Sequence, residues 1–226
     1  MQPSMCVLAI AIVLASIAVI SEGCSCMPAH PQQQFCDSDF AILARVKREY
    51  THNDTRIYKV RIRKEYKMSE KAVVALKSGR LVTSAWDSMC GVQLETGKLY
   101  AIFGKVQSLR AIVNICGFVE RWEKLSKRQR KGLKRMYEQG CNCRIKSCFH
   151  HQRCLKTKDF CNWVTWHPHD ELDCQRMQGI CLRSATNQCM WARNKPQIAC
   201  MRNRTNTLTT TTSTHKPPLT ISLWSG

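Results

Sequence analysis

Three cysteines, one histidine and two prolines fall within the thirteen residues C-S-C-M-P-A-H-P-Q-Q-Q-F-C, Cys24 to Cys36. Such side chains admit two chemistries: thiolates and an imidazole around a metal ion, or sulfurs closing disulfides about a stiff segment. No helix or strand period is visible in the stretch. His30, flanked by Ala29 and Pro31 in a tight loop, reads as a structural hydrogen-bonding residue rather than a ligand. No CxxC knuckle occurs in the chain. The later cysteines do not repeat at ligand-pair spacing either, so structural zinc is not expected. His150-His151 and the pair His167 and His169 read as solvated surface residues. No Ser/His/Asp set, HExxH helix or phosphate-binding glycine loop appears, so neither a catalytic apparatus nor a cofactor of the chain's own is expected.

The compartment decides between the two chemistries. Residues 6–20 are almost unbroken Val, Ile, Leu and Ala, about fifteen positions and too short to span a bilayer. Ser21 and Gly23 stand at the −3 and −1 positions of a signal-peptidase cut, which predicts secretion with Cys24 as the first residue of the mature chain. Of 15 cysteines only Cys6 would leave with the signal. The remaining even set, in an oxidising compartment, reads as seven disulfides.

Cysteine density also divides the chain. Between Cys36 and Cys141 only Cys90 and Cys116 occur, among periodic apolar segments. From Cys141 to Cys200 the cysteines crowd together with few apolar runs, so that region must be held by its bridges. The expected organisation is a signal peptide at 1–23, a barrel domain at 24–141, a cysteine-rich domain at 142–200 and a disordered Thr-rich tail at 201–226.

The elements that must position the opening segment are mostly strands. Phe40–Arg48, Thr55–Tyr66, Arg80–Trp86, Lys98–Val106 and Leu109–Phe118 are the candidates. In the second, Tyr58, Val60 and Ile62 alternate with Lys59, Arg61 and Arg63. A short helix is predicted at Glu70–Leu76. A longer one follows the capping-box pattern Ser126 to Gln129 and carries Leu133, Met136 and Tyr137 on one stripe. The fold class is therefore mainly β with peripheral helices: a five-stranded oligonucleotide/oligosaccharide-binding type barrel plus a small disulfide-stapled C-terminal domain.

Charge gives a second signal. Lys and Arg number 35 against 16 Asp and Glu, a net charge of +19. Lys59, Arg61, Arg63, Lys64 and Lys67 cluster on and after the second strand, and Arg121–Arg135 forms another basic run. Outside the cell the matching polyanions are sulfated glycosaminoglycans, so matrix retention is expected. A nucleic-acid partner is disfavoured by the signal peptide and the disulfides, and no membrane span is expected. Asn53-Asp54-Thr55 and Asn203-Arg204-Thr205 are N-glycosylation sequons, Asn53 being expected at the barrel surface, away from the opening segment and from Ser88 and Met89.

At fixed spacing, Cys24, Cys26, Pro28, His30, Pro31, Gln32, Phe35 and Cys36 resemble the opening of the tissue inhibitors of metalloproteinases, whose secreted chains begin C-x-C-x-P-x-H-P-Q-x-x-F-C. Asp87-Ser88-Met89-Cys90-Gly91 resembles that family's second contact loop. Cys161 with Trp163, and Cys189 with Trp191, resemble its two C-x-W steps. The resemblance spans Cys24 to Trp191 and implies a netrin-like barrel. It also implies the bridges Cys24–Cys90, Cys26–Cys116, Cys36–Cys141, Cys143–Cys189, Cys148–Cys154 and Cys161–Cys181. Cys174 and Cys200 have no counterpart in the twelve-cysteine vertebrate pattern, which suggests an invertebrate-type member. They are expected to pair with each other, the alternatives being free thiols or a link between two chains.

The family's function follows as an expectation. A protease's catalytic zinc keeps one open position, and the α-amine and carbonyl of a first residue Cys24 would chelate it. Ser25 would enter the pocket beyond the scissile bond. Met27, Pro28, Asp37, Asp87, Ser88 and Met89 would complete the contact with Cys24, Cys26 and Cys90. Partners would be zinc metalloproteases, each held 1:1 by a monomer. The competing reading is a non-inhibitory netrin-like module that binds matrix or a receptor, in which the N-terminus is only structural.

Overall fold

The computed structural model describes residues 23–149, 154, 155, 157–165 and 173–202. Residues 1–22, His150, His151, His167, His169, Asn203 and the rest of the Thr-rich tail lie outside them.

Five strands close a barrel. β1 (Phe40–His52) pairs antiparallel with β2 (Thr55–Met68), and β2 with β3 (Arg80–Ser84). β3 meets β5 (Arg110–Ile112) in parallel at Val82 and Ile112, and β5 returns antiparallel to β4 (Leu99–Gln107). β4 then pairs with β1 from Phe40 opposite Gly104 to Arg45 opposite Leu99, completing the ring. The predicted strands are thus present, with differences of length in β1, β2 and β5 and an earlier end to β3, at Ser84. β1 and β2 run further because bulges at Lys47, Arg63 and Tyr66 shift their register, letting one long pair coil round the barrel. β5 stops early because the chain after Val113 turns through Asn114 and Gly117 to bring Cys116 to a disulfide. A sixth short strand, β6 (Val119–Arg121), lies on β4 at Tyr100–Ile102. Three residues carry no readable alternation.

One parity of β1 fills the barrel. Phe40, Ile42, Ala44 and Val46 pack there with Tyr58, Val60, Leu81, Tyr100 and Ile102. Each such large apolar side chain contributes about 1.5–3 kcal/mol by leaving water. The other parity faces outward into a second cluster: Ala41 with Phe35, Ala101, Phe103, Phe118, Leu125, Leu133 and Tyr137. Ile180 joins this cluster from the cysteine-rich region.

Three helices border the barrel. α1 (Pro31–Asp37) lies inside the opening segment, where no period was legible. Pro31 suits a first helical position, since it needs no N–H partner. His30 Nδ1 accepts the Gln32 N–H at 3.2 Å as the cap. At the far end Lys67 Nζ donates to the carbonyls of Phe35 (3.0 Å) and Cys36 (2.6 Å). α2 (Glu70–Leu76) buries Ala72, Ala75 and Leu76. α3 starts at Lys127–Lys131 behind Ser126, whose capping box with Gln129 is complete. It passes through a π-helical stretch, Gly132–Met136, and ends at Tyr137–Gln139.

The cysteine-rich region has a small core of its own. β7 (Arg144–Phe149) pairs in parallel with β8 (Phe160–Thr165), and β9 (Cys181–Arg183) antiparallel with β10 (Cys189–Trp191). α4 (Cys174–Gln178) lies between them in sequence. Cys143, Ile145, Cys161, Trp163 and Cys181 are buried together, with Trp191 against them. Residues 195–202 are helical, two positions past the expected start of the tail, and Cys200 is bonded to Cys174. None of the described helices is long and apolar enough to cross a membrane.

Candidate functional site

Residues 24–29 form a segment with neither helix nor strand. Two disulfides fasten it, Cys24 to Cys90 after β3 and Cys26 to Cys116 after β5. The four sulfurs lie within 4.8 Å of one another, so the bridges stack side by side. Bonded in pairs, they offer no thiolate to a metal ion. Gln34 Nε2 donates to the Cys116 carbonyl at 2.8 Å, and Ser147 Oγ to the Pro28 carbonyl at 3.0 Å. Cys24, Cys26 and Pro28 are thus each anchored, and Gln34 braces the Cys116 end of the second bridge.

The second part of the site is a tight turn. Asp87–Met89 form a single 3₁₀ turn, with the Met89 and Gly91 N–H groups donating to the Trp86 carbonyl at 3.1 Å each. Cys90 then adopts φ 59°, a left-handed conformation that a non-glycine residue holds only when its surroundings impose it. Here the surroundings are its bridge to Cys24 and the Ile115 N–H bound to its carbonyl at 3.1 Å. Gly91 has no substitute, because an added Cβ would strike the Ser84 and Trp86 carbonyls.

The crest formed is exposed and largely uncharged. Ser25 and Ser88 stand in solvent. Met27, Met89 and Ile115 are 81%, 65% and 50% exposed. Large apolar side chains left this open on an over-anchored backbone suit a partner's cleft. Ile115 was not anticipated, although its neighbour Cys116 points to it.

Other residues fall elsewhere. Asp37 sits at the C-terminal end of α1, where Gln33 Nε2 binds its carboxylate at 3.0 Å. It borders a cleft of about 320 Å³ that Gln34, Ser38 and Phe103 line together with Ala29 and Cys116. His30 makes the structural hydrogen bonds expected of it, and is buried. Its Nε2 donates to the Gln175 carbonyl at 3.0 Å, and its ring lies between Trp163 and Trp191. Burial lowers its pKa from 6.5 to about 4, so the imidazole is neutral.

Two expectations about the surroundings need correction. Lys67 does not belong to the open basic face, because its ammonium caps α1 and rests over the Phe35 ring. Lys59, Arg61, Arg63 and Lys64 are exposed on β2. Nor is Asn53 remote from the contact loop at residues 87–91. It sits in the β1–β2 turn, and Asp54 next to it accepts the Trp86 indole N–H at 2.8 Å, one residue before the 3₁₀ turn.

The remaining cysteines pair as Cys36–Cys141, Cys143–Cys189, Cys148–Cys154, Cys161–Cys181 and Cys174–Cys200. A family model described as tissue inhibitor of metalloproteinase matches residues 22–191. A tissue inhibitor of metalloproteinase from Drosophila melanogaster is 31% identical over 195 residues, covering 81% of this chain and 88% of its own. Metalloproteinase inhibitor 3 of Scyliorhinus torazame is 34% identical over 188 residues, 78% of this chain and 84% of its own. Metalloproteinase inhibitor 2 of Homo sapiens is 29% identical over 196 residues, 80% of this chain and 87% of its own. With the family model matched over three quarters of its length, this chain belongs to the tissue inhibitors of metalloproteinases.

Proposed function

We propose that this protein, a metalloproteinase inhibitor and not an enzyme, acts by presenting the α-amine and carbonyl of Cys24 to the catalytic zinc of its target. In the uncut chain the Cys24 nitrogen is an amide, a poor ligand. Removal of residues 1–23 in the secretory path makes it an amine, and amine and carbonyl of one residue close a five-membered chelate. The zinc supplies the open coordination position normally filled by water. The α-amine, with a pKa of about 7.7–8.0, has a usable neutral fraction near physiological pH.

The observation that carries this reading is the double anchoring of Cys24 and Cys26 beside the exposed Ser25. A free terminus frays, and ordering one on binding would reduce affinity. Here the order is set during folding, the Cys24–Cys90 bridge alone closing a 66-residue separation, worth roughly 4 kcal/mol in the chain-entropy model. Ser25 then enters the pocket beyond the scissile bond, and Met27, Ser88 and Met89 fill the cleft on either side. The chain is not cut, because no peptide bond lies across the zinc. A monomer in a 1:1 complex satisfies this geometry.

The basic face of β1 and β2 serves a separate role, retention on sulfated glycosaminoglycans outside the cell. Arg45 stands opposite Arg61, and Arg48 opposite Lys59. Like charges directly opposite are destabilising, and a polyanion relieves that cost.

The test is one alanine added ahead of Cys24, or acetylation of its amine. Inhibition should vanish while thermal stability stays unchanged, since the disulfides and the barrel are untouched. Full inhibition by the extended protein would overturn chelation and leave the opening segment a structural role only, whereas loss of inhibition by every form, the parent included, would favour the non-inhibitory netrin-like module.

A further inference from the structure

Asn53 stands exposed in the β1–β2 turn at φ 50°, as the first residue of the sequon Asn53-Asp54-Thr55. That turn is joined to the ridge by an unbroken set of contacts. The Asp54 carbonyl accepts the Ala85 N–H at 2.9 Å, and its carboxylate the Trp86 indole N–H at 2.8 Å. Arg56 donates to the Ala85 and Val92 carbonyls at 3.1 Å, one on each side of the turn. The Trp86 carbonyl in turn holds Met89 and Gly91 on either side of Cys90. Asn53 thus adjoins, through Asp54, the turn whose Cys90 is bonded to Cys24.

Trp86 itself is 56% exposed with its N–H already bound. What it presents to solvent is an apolar ring face beside a glycosylation acceptor. The apolar C–H face of a sugar ring is complementary to such a surface, and a branched N-glycan is far bulkier than the indole. We propose that Asn53 carries an N-glycan that packs on Trp86 and screens this flank of the ridge. Proteases whose cleft rim rises on that side are then disfavoured relative to those with a low rim. Specificity would come from an obstruction, with no change in the residues that enter the cleft. The selectivity part rests on the inhibitory reading above; the glycan contact with Trp86 does not.

The experiment uses full-length protein secreted from animal cells, the same protein trimmed to a single sugar by an endoglycosidase, and the Thr55→Ala variant, which lacks the sequon but keeps Asn53. Peptide mapping should find Asn53 occupied, and chemical oxidation should reach Trp86 several-fold more slowly in the untrimmed form. Association rates measured against two zinc metalloproteases of different rim height should change their ratio by about tenfold between untrimmed and trimmed protein. Thr55→Ala should match the trimmed form. A bare Asn53, equal Trp86 oxidation, or an unchanged rate ratio would each overturn the proposal. If no form inhibited any metalloprotease, the inhibitory reading would fall and the selectivity claim with it, while the oxidation readout would still decide the glycan contact.

Discussion

The imidazole of His30, six residues after Cys24, donates through Nε2 to the carbonyl of Gln175 in α4 at 3.0 Å. Its other nitrogen caps α1, and its ring is enclosed by Trp163 and Trp191. Replacing His30 by Ala removes both hydrogen bonds and leaves a cavity between two indoles. A loss of roughly 2–4 kcal/mol follows. Acid should do the same gradually. The unfolded imidazole titrates near 6.5 and the folded one near 4, so protons bind the unfolded chain first. The His30 contribution is complete above pH 6.5 and declines as pH falls from 6.5 toward 4, by up to about 3 kcal/mol. Denaturant titrations at several pH values check this: a His30→Gln variant should show a shallower slope in that window. Equal slopes would assign the acid sensitivity to other groups.

Gly140 supports the same junction. Gln32, buried in α1, donates to the Cys181 carbonyl at 2.7 Å and accepts the Cys181 N–H at 2.9 Å. An added Cβ at Gly140 would collide with both Gln32 Nε2 and that carbonyl. Gly140→Ala should therefore destabilise by about 1–3 kcal/mol through two buried polar groups left unpaired. Calorimetry reads it directly. A Tm within a degree of the parent would show that the backbone yields at no cost.

Much of the barrel was legible because its strands obey the period-2 rule: Tyr58 and Val60 inside, Lys59 and Arg61 outside. The capping box of α3 was legible because it is a local hydrogen-bond pattern. α1 was not, because its seven residues include one large apolar side chain, Phe35, and its polar residues answer to distant partners. Gln32 binds Cys181, Gln33 accepts the Ile145 N–H, and Gln34 binds Cys116. Sequence shows three glutamines; only tertiary structure distinguishes them. The same limit applies to Lys67, which by spacing belongs with Arg61 and Arg63 but by contact belongs to α1. At the ridge, Met27 and Ser25 could be found from their place between cysteines, whereas Ile115 and Trp86 became visible only through their bonded neighbours.

The basic face should behave as a site separable from the ridge. Arg61, Arg63 and Lys64 are exposed on β2, with Arg45 opposite Arg61. Arg61→Glu with Arg63→Glu and Lys64→Glu should elute from a heparin column at much lower salt, exposed charges being screened beyond about 8 Å at 0.15 M. Heparin fragments should raise the Tm of the parent and leave that of the triple variant unchanged. Inhibition constants should stay within about twofold of the parent. An equal collapse of inhibition would place these cations in the protease interface.

Chelation through Cys24 makes a further demand, on pH. An amine must lose its proton to bind zinc, so below its pKa of about 7.7–8.0 each pH unit should weaken binding by up to tenfold. Between pH 8 and pH 6 the inhibition constant should therefore rise by roughly thirty- to fiftyfold. The target's own zinc-bound water also titrates, so the profile must be divided by that of a small inhibitor lacking an amine on the same protease. His30 does not supply this slope, because its window lies lower, from 6.5 toward 4. Ser25→Gly should weaken inhibition mildly at every pH and keep the slope, since it removes a pocket contact and leaves the amine, the carbonyl and both disulfides in place. A normalised profile flat between pH 8 and pH 6 would mean that no proton leaves on binding, and the α-amine of Cys24 would then not be the zinc ligand.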